Sequence, residues 1–230
     1  MYFSGTLVPA APVTSLKNKT VLLTAGPTHE PIDPVRFIGN HSTGKMGYAL
    51  AEAFAREGAQ VVVVSGPTHQ KAKHLSIRVI PVTTADQMYA QVKQLADTAD
   101  IMVFAAAVAD YKPKTVSAVK VKKSDETLTL ELVKNVDIAK TIGQTKKEGQ
   151  FTVGFALETD NELANARAKL KTKNLDMIVL NSLQDAGAGF KHDTNKITII
   201  ESDKITTFDL KPKTQVAADI VNLIAERIHV

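Results

Sequence analysis

The polar residues best suited to chemistry lie in one short segment, Gly39-Asn-His-Ser-Thr-Gly44-Lys45-Met46. An amide, an imidazole, two hydroxyls and an ammonium stand close together, directly before a predicted helix. Unpaired backbone N–H groups and the helix dipole attract anions at such a helix start. A glycine turn that only caps the helix would explain the two glycines, but not the polar residues between them. The segment therefore predicts an anion-binding loop.

The same segment nearly spells the phosphate-binding loop of P-loop nucleotidases, but the match fails at one position. That motif requires Ser or Thr after the lysine, because the hydroxyl binds magnesium, and Met46 stands there instead. A P-loop also follows a strand directly, whereas this segment follows the turn-forming residues Pro31-Ile-Asp-Pro34. We therefore do not predict a P-loop.

A second candidate segment, Ala105-Ala-Ala-Val-Ala-Asp110-Tyr111, ends a strongly apolar run. Its small side chains would let a planar ligand approach the backbone, and Asp110 could accept hydrogen bonds from a base or a ribose. Alternatively, Asp110 caps a turn and the alanines only pack in the core. The residues alone leave these two interpretations open.

Lysines form two further groups that could neutralise a phosphorylated ligand. One group is Lys120, Lys122 and Lys123, and the other is Lys169, Lys171 and Lys173 at a predicted helix end. Such lysine runs usually form a solvated surface, and cations at a helix C-terminus also interact favourably with its dipole. A phosphate site and a plain solvated surface both remain open for these lysines.

Other chemistries have weaker support. Tyr89-Ala-Gln-Val-Lys93 matches the Tyr-x-x-x-Lys pair of short-chain dehydrogenases, but the glycine fingerprint of dinucleotide-binding folds is absent after the first predicted strand. The chain has no cysteine, which excludes disulfides, thiolate metal sites and a cysteine nucleophile. The histidines show no metal-ligand spacing, so we predict no metal site built by side chains alone.

Strands and helices are predicted to alternate along most of the chain. Apolar runs that end in turn residues predict strands at residues 21–25, 61–65, 77–82, 101–107, 152–156 and 177–180. Helical periodicity predicts helices at residues 45–57, 161–173 and 214–228, and Thr84-Ala-Asp-Gln87 reads as the capping box of another. This alternation predicts an α/β, Rossmann-like, doubly wound, mostly parallel sheet, whose ligands bind at the carboxyl ends of the strands.

The middle of the chain departs from this rhythm at about residues 112–134. Leu128, Leu130 and Leu132 alternate with polar residues, which is typical of a half-exposed strand. We predict strands at residues 119–124 and 127–133, forming an inserted β-hairpin flap and dimerisation region. Asn135 is predicted to cap the helix that follows, and a late hairpin is predicted from residues 197–200 and 205–208.

Composition limits the classes of partner. The 230-residue chain is 44% apolar and 23% charged, with a net charge of +4, and its pI is about 9.1. It lacks nucleic-acid-binding motifs, so no nucleic-acid partner is predicted, and no apolar window is long enough for a membrane span. Residues 1–16 are expected to be a flexible leader, linker or tag, and residues 17–230 a single domain.

Taken together, these segments resemble one family, the bacterial phosphopantothenoylcysteine synthetases. The resemblance rests, in chain order, on Thr24-Ala-Gly-Pro-Thr-His-Glu-Pro-Ile-Asp-Pro-Val-Arg36, Asn40-His-Ser-Thr-Gly-Lys-Met-Gly47, Ala106-Ala-Val-Ala-Asp-Tyr111, Lys120-Val-Lys-Lys123, Val153-Gly-Phe-Ala-Leu-Glu-Thr159 and Lys173-Asn-Leu-Asp176. It extends from about Lys19 to the C-terminus. In many bacteria this domain follows a flavin-dependent decarboxylase, so we expect either a stand-alone synthetase or the C-terminal half of a bifunctional protein.

The resemblance implies a ligase of coenzyme A biosynthesis. In that family the carboxylate of 4'-phosphopantothenate attacks the α-phosphate of CTP in the presence of Mg²⁺, and the amine of L-cysteine then displaces CMP. The resemblance also implies a cytoplasmic homodimer, or a higher oligomer if fused to the decarboxylase, with the site near the subunit interface. Use of ATP in place of CTP, and a nucleotide-binding module without activity, remain alternatives.

The resemblance further implies roles for particular residues. The expected catalytic residues are Asn40 and Lys120, and the expected substrate-binding residues are Asn40, His41 and Ala107. The expected nucleotide-binding residues are Phe104, Ala105, Ala106, Asp110, Lys120, Val136, Asp137, Ile138, Phe155, Lys169 and Lys173. Val136 replaces a proline that is usual in the family, so this loop is expected to be less rigid.

Overall fold

The structure, a computed structural model, describes residues 16–122, 127–158, 160–182 and 192–228. The strands are β1 (Thr20–Ala25), β2 (His29–Pro31), β3 (Phe37–Gly39), β4 (Gln60–Ser65), β5 (Ile77–Pro81), β6 (Ile101–Phe104), β7 (Tyr111–Pro113), β8 (Leu132–Lys134), β9 (Phe151–Glu158), β10 (Met177–Ser182), β11 (Thr194–Ile200) and β12 (Ile205–Pro212). The helices are α1 (Lys45–Arg56), α2 (Ala85–Ala96), α3 (Ile138–Thr145), α4 (Glu162–Thr172) and α5 (Lys213–Ile228). The predicted leader falls outside the described residues, apart from Leu16.

Eight strands form one sheet in the order β12-β11-β10-β9-β6-β1-β4-β5. The strands β10, β9, β6, β1, β4 and β5 run parallel to one another, and β11 and β12 add an antiparallel edge next to β10. All residues of β6 are buried, because helices cover both faces of the sheet at this position. The predicted α/β fold with a mostly parallel, doubly wound sheet is confirmed, as is the late hairpin of β11 and β12.

Alternate side chains of each central strand point to opposite faces of the sheet and pack in two separate hydrophobic cores. On one face, α1 and α5 pack against side chains such as Leu23, and Phe54 of α1 is fully buried there. On the other face, α2, α3 and α4 pack against Leu22 and its neighbours. Full burial of a side chain such as Phe54 stabilises the fold by about 1.5–3 kcal/mol. The two layers hold the carboxyl ends of the parallel strands rigidly.

Of the two predicted N-caps, one is confirmed and the other is wrong. The capping box at α2 is confirmed, since the Thr84 side chain accepts a hydrogen bond from Gln87 N and the Gln87 side chain accepts one from Thr84 N. The prediction that Asn135 caps α3 is wrong, because the cap is Asp137, which accepts from Lys140 N at 3.0 Å. Asn135 instead donates its side-chain amide to Ala109 O at 2.8 Å, joining the start of α3 to the turn after β6.

The segment between β1 and α1 contains a small hairpin that the sequence analysis missed. Strands β2 and β3 pair antiparallel, and the rings of His29 and Phe37 stack with centroids 3.8 Å apart. Each strand has only three residues, too few for a clear alternation of polar and apolar positions. This hairpin leads into the predicted anion-binding loop, and its turn makes hydrogen bonds with the flap.

The predicted flap strands were placed wrongly. Among the described residues the flap pairs only at its base, where β7 and β8 run antiparallel, and residues 119–122 and 127–131 form no strand. Leu128 and Leu132 alternate with polar residues as expected, but both side chains are exposed because no second layer of described residues covers them. Residues 123–126, which include Lys123, lie outside the described residues. The predicted strand at residues 101–107 also ends earlier, at Phe104.

No helix among the described residues is long and apolar enough to cross a bilayer.

Candidate functional site

A cavity of about 870 Å³ opens where the carboxyl ends of β1, β6, β9 and β10 meet. Parallel α/β sheets bind ligands at this edge. Most of the residues expected from the sequence line it, namely Asn40, Phe104, Ala105, Ala106, Ala107, Asp110, Val136, Asp137, Ile138, Phe155, Lys169 and Lys173. They come from distant parts of the chain, and the sheet brings them into one space.

Two expected site residues are not among those that line the cavity. His41 is exposed on the loop before α1, and Lys120 is exposed on the flap. A role for Lys120 therefore requires the flap to approach bound nucleotide, in its own cavity or in that of a second subunit. The roles of both residues stay predictions.

The Asn40 side chain ties the anion-binding loop to the end of β6. Its Nδ2 donates to Ala107 O at 3.1 Å and to Val108 O at 3.2 Å. The small residues after β6 permit this close approach of the Asn40 side chain to the backbone. Asn40 is thus held by the strand end that also carries Asp110, so a ligand lying along this edge would meet both.

The first turn of α1 offers unpaired donors to an anion. Gly44 precedes the helix in a left-handed conformation, with φ of 76°, and makes no side-chain cap. Gly47 lets the helix lie close to β1, since a Cβ there would stand 2.7 Å from the Cβ of Ala25. The first N–H groups of a helix have no partner within it, and the dipole adds positive potential. The loop and helix start therefore suit a phosphate group.

The start of α3 and the end of α4 form the opposite wall. Gly143, in the second half of α3, lets that helix pack closely against the end of α4, because a Cβ at this position would lie 2.0 Å from Lys173 O. Asn174 Nδ2 also donates to Gly143 O at 2.8 Å. This contact brings the Lys173 ammonium to 2.9 Å from Asp137, the residue that caps α3. The wall thus presents backbone groups of residues 136–138 beside a fixed cation.

Three cations at the cavity are each held by a carboxylate. Lys169 lies 2.6 Å from Glu158, Lys173 2.9 Å from Asp137, and Lys45 2.6 Å from Asp193. These pairs fix the ammonium groups at the cavity wall before any ligand arrives. A polyphosphate has several anionic oxygens and could share or replace such carboxylate partners.

Three cavity residues near α1 and α5 were not predicted from the sequence, namely Asn181, Asn195 and Lys213. They belong to β10, β11 and α5, and no short motif joins them. No local pattern marks them, since Asn195 stands in the polar beginning of β11, next to a shift in the register between β11 and β12. Asn195 donates to Asn181 Oδ1 at 2.8 Å, and its own buried Oδ1 has no hydrogen-bond partner among the described residues.

The charges at this end favour an anion. Burial lowers the pKa of Lys213, repulsion from Lys45 lowers it further, and attraction to Asp193 opposes both. A hydrogen bond from Lys45 lowers the pKa of Asp193. Two ammonium groups that repel one another beside a helix start would both gain from a bound phosphate.

A divalent ion carried on phosphate oxygens also fits this end. Among the described residues no group of three or more His, Cys, Asp or Glu side chains could hold an ion by itself. Mg²⁺ is commonly bound by one or two protein oxygens together with substrate phosphates and water. The unpartnered Oδ1 of Asn195, which lines the cavity, is an oxygen donor of that kind, and the exposed carboxylate of Asp193, paired with Lys45 of the cavity wall, is a second one.

The Tyr89 and Lys93 pair, on which the dehydrogenase alternative depends, lies away from the cavity. Tyr89 and Lys93 both belong to α2, where Tyr89 packs against the core and the Lys93 ammonium lies 6.0 Å from the centre of its ring. Neither residue is among the described residues that line the cavity.

Comparison with known proteins gives a consistent family. Residues 16–228 match the family model DFP, the DNA/pantothenate metabolism flavoprotein C-terminal domain. The chain is 51% identical over 188 residues to the coenzyme A biosynthesis bifunctional protein CoaBC of Bacillus subtilis strain 168, covering 82% of this chain and 46% of that protein. It is 50% identical over 215 residues to a cysteine/cysteine sulfinic acid decarboxylase from an unknown prokaryote, covering 93% and 60%. The chain thus spans about half the length of these relatives.

A solved structure agrees with the fold. The crystal structure of the C-terminal domain of CoaBC superposes with a TM-score of 0.80 at 39% identity, covering 94% of this chain and 98% of that one. Because the family model also matches almost the whole chain, this protein belongs to the family of DNA/pantothenate metabolism flavoprotein C-terminal domains.

Proposed function

We propose that the chain is a phosphopantothenate–cysteine ligase that uses CTP. The observation that carries this proposal is that the Asn40 loop, the Asp110 turn and the C-terminal end of α4, with Lys169 and Lys173, meet in one cavity. Its volume of about 870 Å³ leaves room for a nucleotide and a second substrate, with donors for phosphate at the start of α1 and a wall for a base at residues 136–138. The similarity to CoaBC, a protein named for coenzyme A biosynthesis, supports the same assignment.

In the first step, a carboxylate oxygen of 4'-phosphopantothenate attacks the α-phosphorus of CTP. The bond from that phosphorus to the bridging oxygen breaks, and pyrophosphate leaves with the bonding electrons. Two anions must approach each other, so the step needs cations and donors that are already in place. Lys169, Lys173, Lys45 and the α1 start supply them at the cavity, and Lys120 supplies a further cation from the flap.

In the second step, the amine of L-cysteine attacks the acyl carbon of the mixed anhydride. The bond from that carbon to the phosphate oxygen breaks, CMP leaves, and the amine proton passes to solvent or a nearby base. Asn40 is held against the end of β6, where the acyl group would lie, and its amide keeps that group in position for attack. Asp110 and the backbone of residues 136–138 hold the nucleotide meanwhile.

Bound with the nucleotide, Mg²⁺ would offset phosphate charge at the Asn195 and Asp193 end of the cavity. CTP is preferred to ATP in this proposal because residues 120–123 and 135–138 resemble the corresponding segments of the CTP-using bacterial members of the family. The decarboxylase named in one relative receives less support, because this chain corresponds to nearly the whole of a solved CoaBC C-terminal domain.

Replacing Lys169 by methionine is expected to weaken nucleotide binding. The ammonium beside Glu158 would lose its charge while the stem still packs, and a charge-assisted hydrogen bond contributes about 1.5–3 kcal/mol. The KM for CTP should therefore rise roughly 10- to 100-fold. Lys171→Met, on the exposed side of the same helix, is the matched control. Equal KM values for the two variants would remove Lys169 from the nucleotide site.

We also propose that the chain forms a homodimer through the flap and the β2–β3 hairpin. Large apolar side chains stand exposed on these neighbouring segments, namely Val35, Phe37, Val116, Val119, Leu128 and Leu132. Clustered exposed apolar side chains commonly mark a contact surface. A second copy fits because the same patch can cover itself by two-fold symmetry.

Sedimentation velocity at micromolar protein tests this proposal. Val119→Asp should shift the protein toward monomer, because a two-fold contact would bury the new charge in both copies. Leu75→Asp changes a fully exposed apolar residue outside the patch and should leave the dimer intact. A wild-type monomer at these concentrations would contradict the dimer.

The overall reaction is tested by mixing the protein with 4'-phosphopantothenate, L-cysteine, Mg²⁺ and either CTP or ATP. Mass spectrometry should find the amide product together with CMP in the CTP reaction. Product with ATP alone would move the chain to the ATP-using members of the family. No product with either nucleotide would remove the ligase activity from this chain.

A further inference from the structure

One buried carboxylate joins the β2–β3 hairpin to the flap. The Asp33 side chain is completely buried, although it lies in the exposed turn between β2 and β3. The flap segment before Lys120 reaches this turn, since Ser117 N donates to Ile32 O at 3.0 Å. A buried carboxylate needs several donors to offset its lost hydration, so its partners show what it holds in place.

The two oxygens of Asp33 have different partners. Oδ1 accepts from the backbone N–H groups of Val35 and Arg36, each at 2.8 Å, and so closes the local turn. Oδ2 accepts from Arg36 Nε at 3.0 Å, from Arg36 Nη2 at 2.5 Å and from Val121 N at 3.1 Å. One oxygen therefore shapes the hairpin, and the other holds the flap.

Arg36 completes the connection from the other side. Its Nη2 also donates to Val121 O at 2.8 Å, so both backbone groups of Val121 are bound by this pair of residues. The hydrogen bonds from Arg36 hold the pKa of Asp33 well below its usual range, so the carboxylate stays charged at neutral pH. Val121 directly follows Lys120 in the chain, whose own side chain is exposed.

We infer that Asp33 is a positioning residue that fixes the flap backbone at Val121 and thereby sets where Lys120 reaches the nucleotide. The inference rests on the proposed function, because it gives Lys120 its task. Asp33 itself would touch neither substrate nor nucleotide. A shift of a catalytic group by about 1 Å can reduce a rate on the order of 10²-fold, so a loosened flap should slow the first chemical step.

Asp33→Asn separates the two tasks of the carboxylate. The retained carbonyl oxygen can still accept from Val35 and Arg36, while an amide NH₂ in place of Oδ2 would face donors and lose the bonds to Arg36 and Val121. Hydrogen exchange should become faster at the Val121 amide and remain slow at the amides of Val35 and Arg36. Asp209→Asn, at an exposed position on β12, is the matched control and should exchange like the wild type.

The kinetic arm is a double-mutant cycle on pyrophosphate release. Asp33→Asn alone should lower the rate roughly 10-fold or more, with little change in the KM for CTP. In a Lys120→Gln background the same change should have almost no further effect, because the group being positioned is gone. Losses that multiply in the double variant would overturn the inference.

The outcomes separate this inference from the proposed function. If Lys120→Gln alone leaves pyrophosphate release unchanged, the proposed task of Lys120 fails, while exchange at Val121 still reports whether Asp33 holds the flap. If Asp33→Asn does not fold, hydrogen exchange at the Val121 amide of the wild-type protein tests the inference instead. A Val121 amide that exchanges as fast as those of Lys120 and Lys122 in the wild type would overturn the inference.

Discussion

Replacing Lys120 by glutamine is expected to slow pyrophosphate release at least about 10²-fold, the scale seen when one charge-stabilising donor is removed. Negative charge builds up on the phosphate oxygens as the carboxylate attacks and pyrophosphate departs. A flap ammonium that meets this charge stabilises the transition state more than the bound substrates. The loss should therefore appear in the rate of the first step, measured in a rapid-quench burst, and less in the KM for CTP.

Lys122→Gln is the matched control for this prediction. Lys122 lies on the same flap segment, is exposed and carries the same charge, but it is one position beyond the anchored Val121. Its replacement should change the rate by less than about 3-fold. A normal burst in Lys120→Gln, or equal losses in both variants, would show that the flap supplies only general positive potential.

Asn40→Asp is expected to permit acyl-cytidylate formation and to block amide formation. Asn40 donates to Ala107 O and Val108 O, and a carboxylate cannot donate to these carbonyl oxygens at neutral pH. The displaced and negatively charged side chain would then lie beside an already anionic intermediate. We expect the second step to fall roughly 10²- to 10³-fold, as for the loss of a positioned donor at a reacting group.

The test for Asn40→Asp follows the two products separately. Pyrophosphate should be released in a burst, and an acyl-cytidylate should accumulate and be detectable by mass spectrometry, with little amide product after cysteine is added. Asn222→Asp makes the same change at an exposed position on α5 and should behave as the wild type. Wild-type turnover by Asn40→Asp would remove Asn40 from the reaction.

The sheet and its helices could be predicted because their signals are local. A run such as residues 101–104 is apolar throughout, since the strand is covered on both faces, and the Thr84 capping box needs only neighbouring residues. The Asn135 error shows the limit of such signals. Asn135 and Asp137 are both good caps by type, and only the contact of Asn135 with Ala109, distant in sequence, decides between them.

The flap could not be placed from its own residues. Leu128 and Leu132 alternate as in a strand, but a strand needs a partner and a covering layer, and the part of the flap that the structure describes is paired only at its base. Beyond its base, the flap backbone is held at Val121 by Asp33 and Arg36, which are far away in sequence. Lys213 and Asn195 were missed for the same reason, because they reach the cavity only through the order of β10 and β11 in the sheet.

The most direct test of the central claim is pyrophosphate release in the absence of cysteine. The protein would be mixed with 4'-phosphopantothenate, Mg²⁺ and CTP, and release would be compared with a reaction that contains ATP. We predict a burst with CTP close to one equivalent per active site, with CMP appearing only after cysteine is added. Pyrophosphate release that requires cysteine, or no release with CTP, would contradict a mechanism through an acyl-cytidylate.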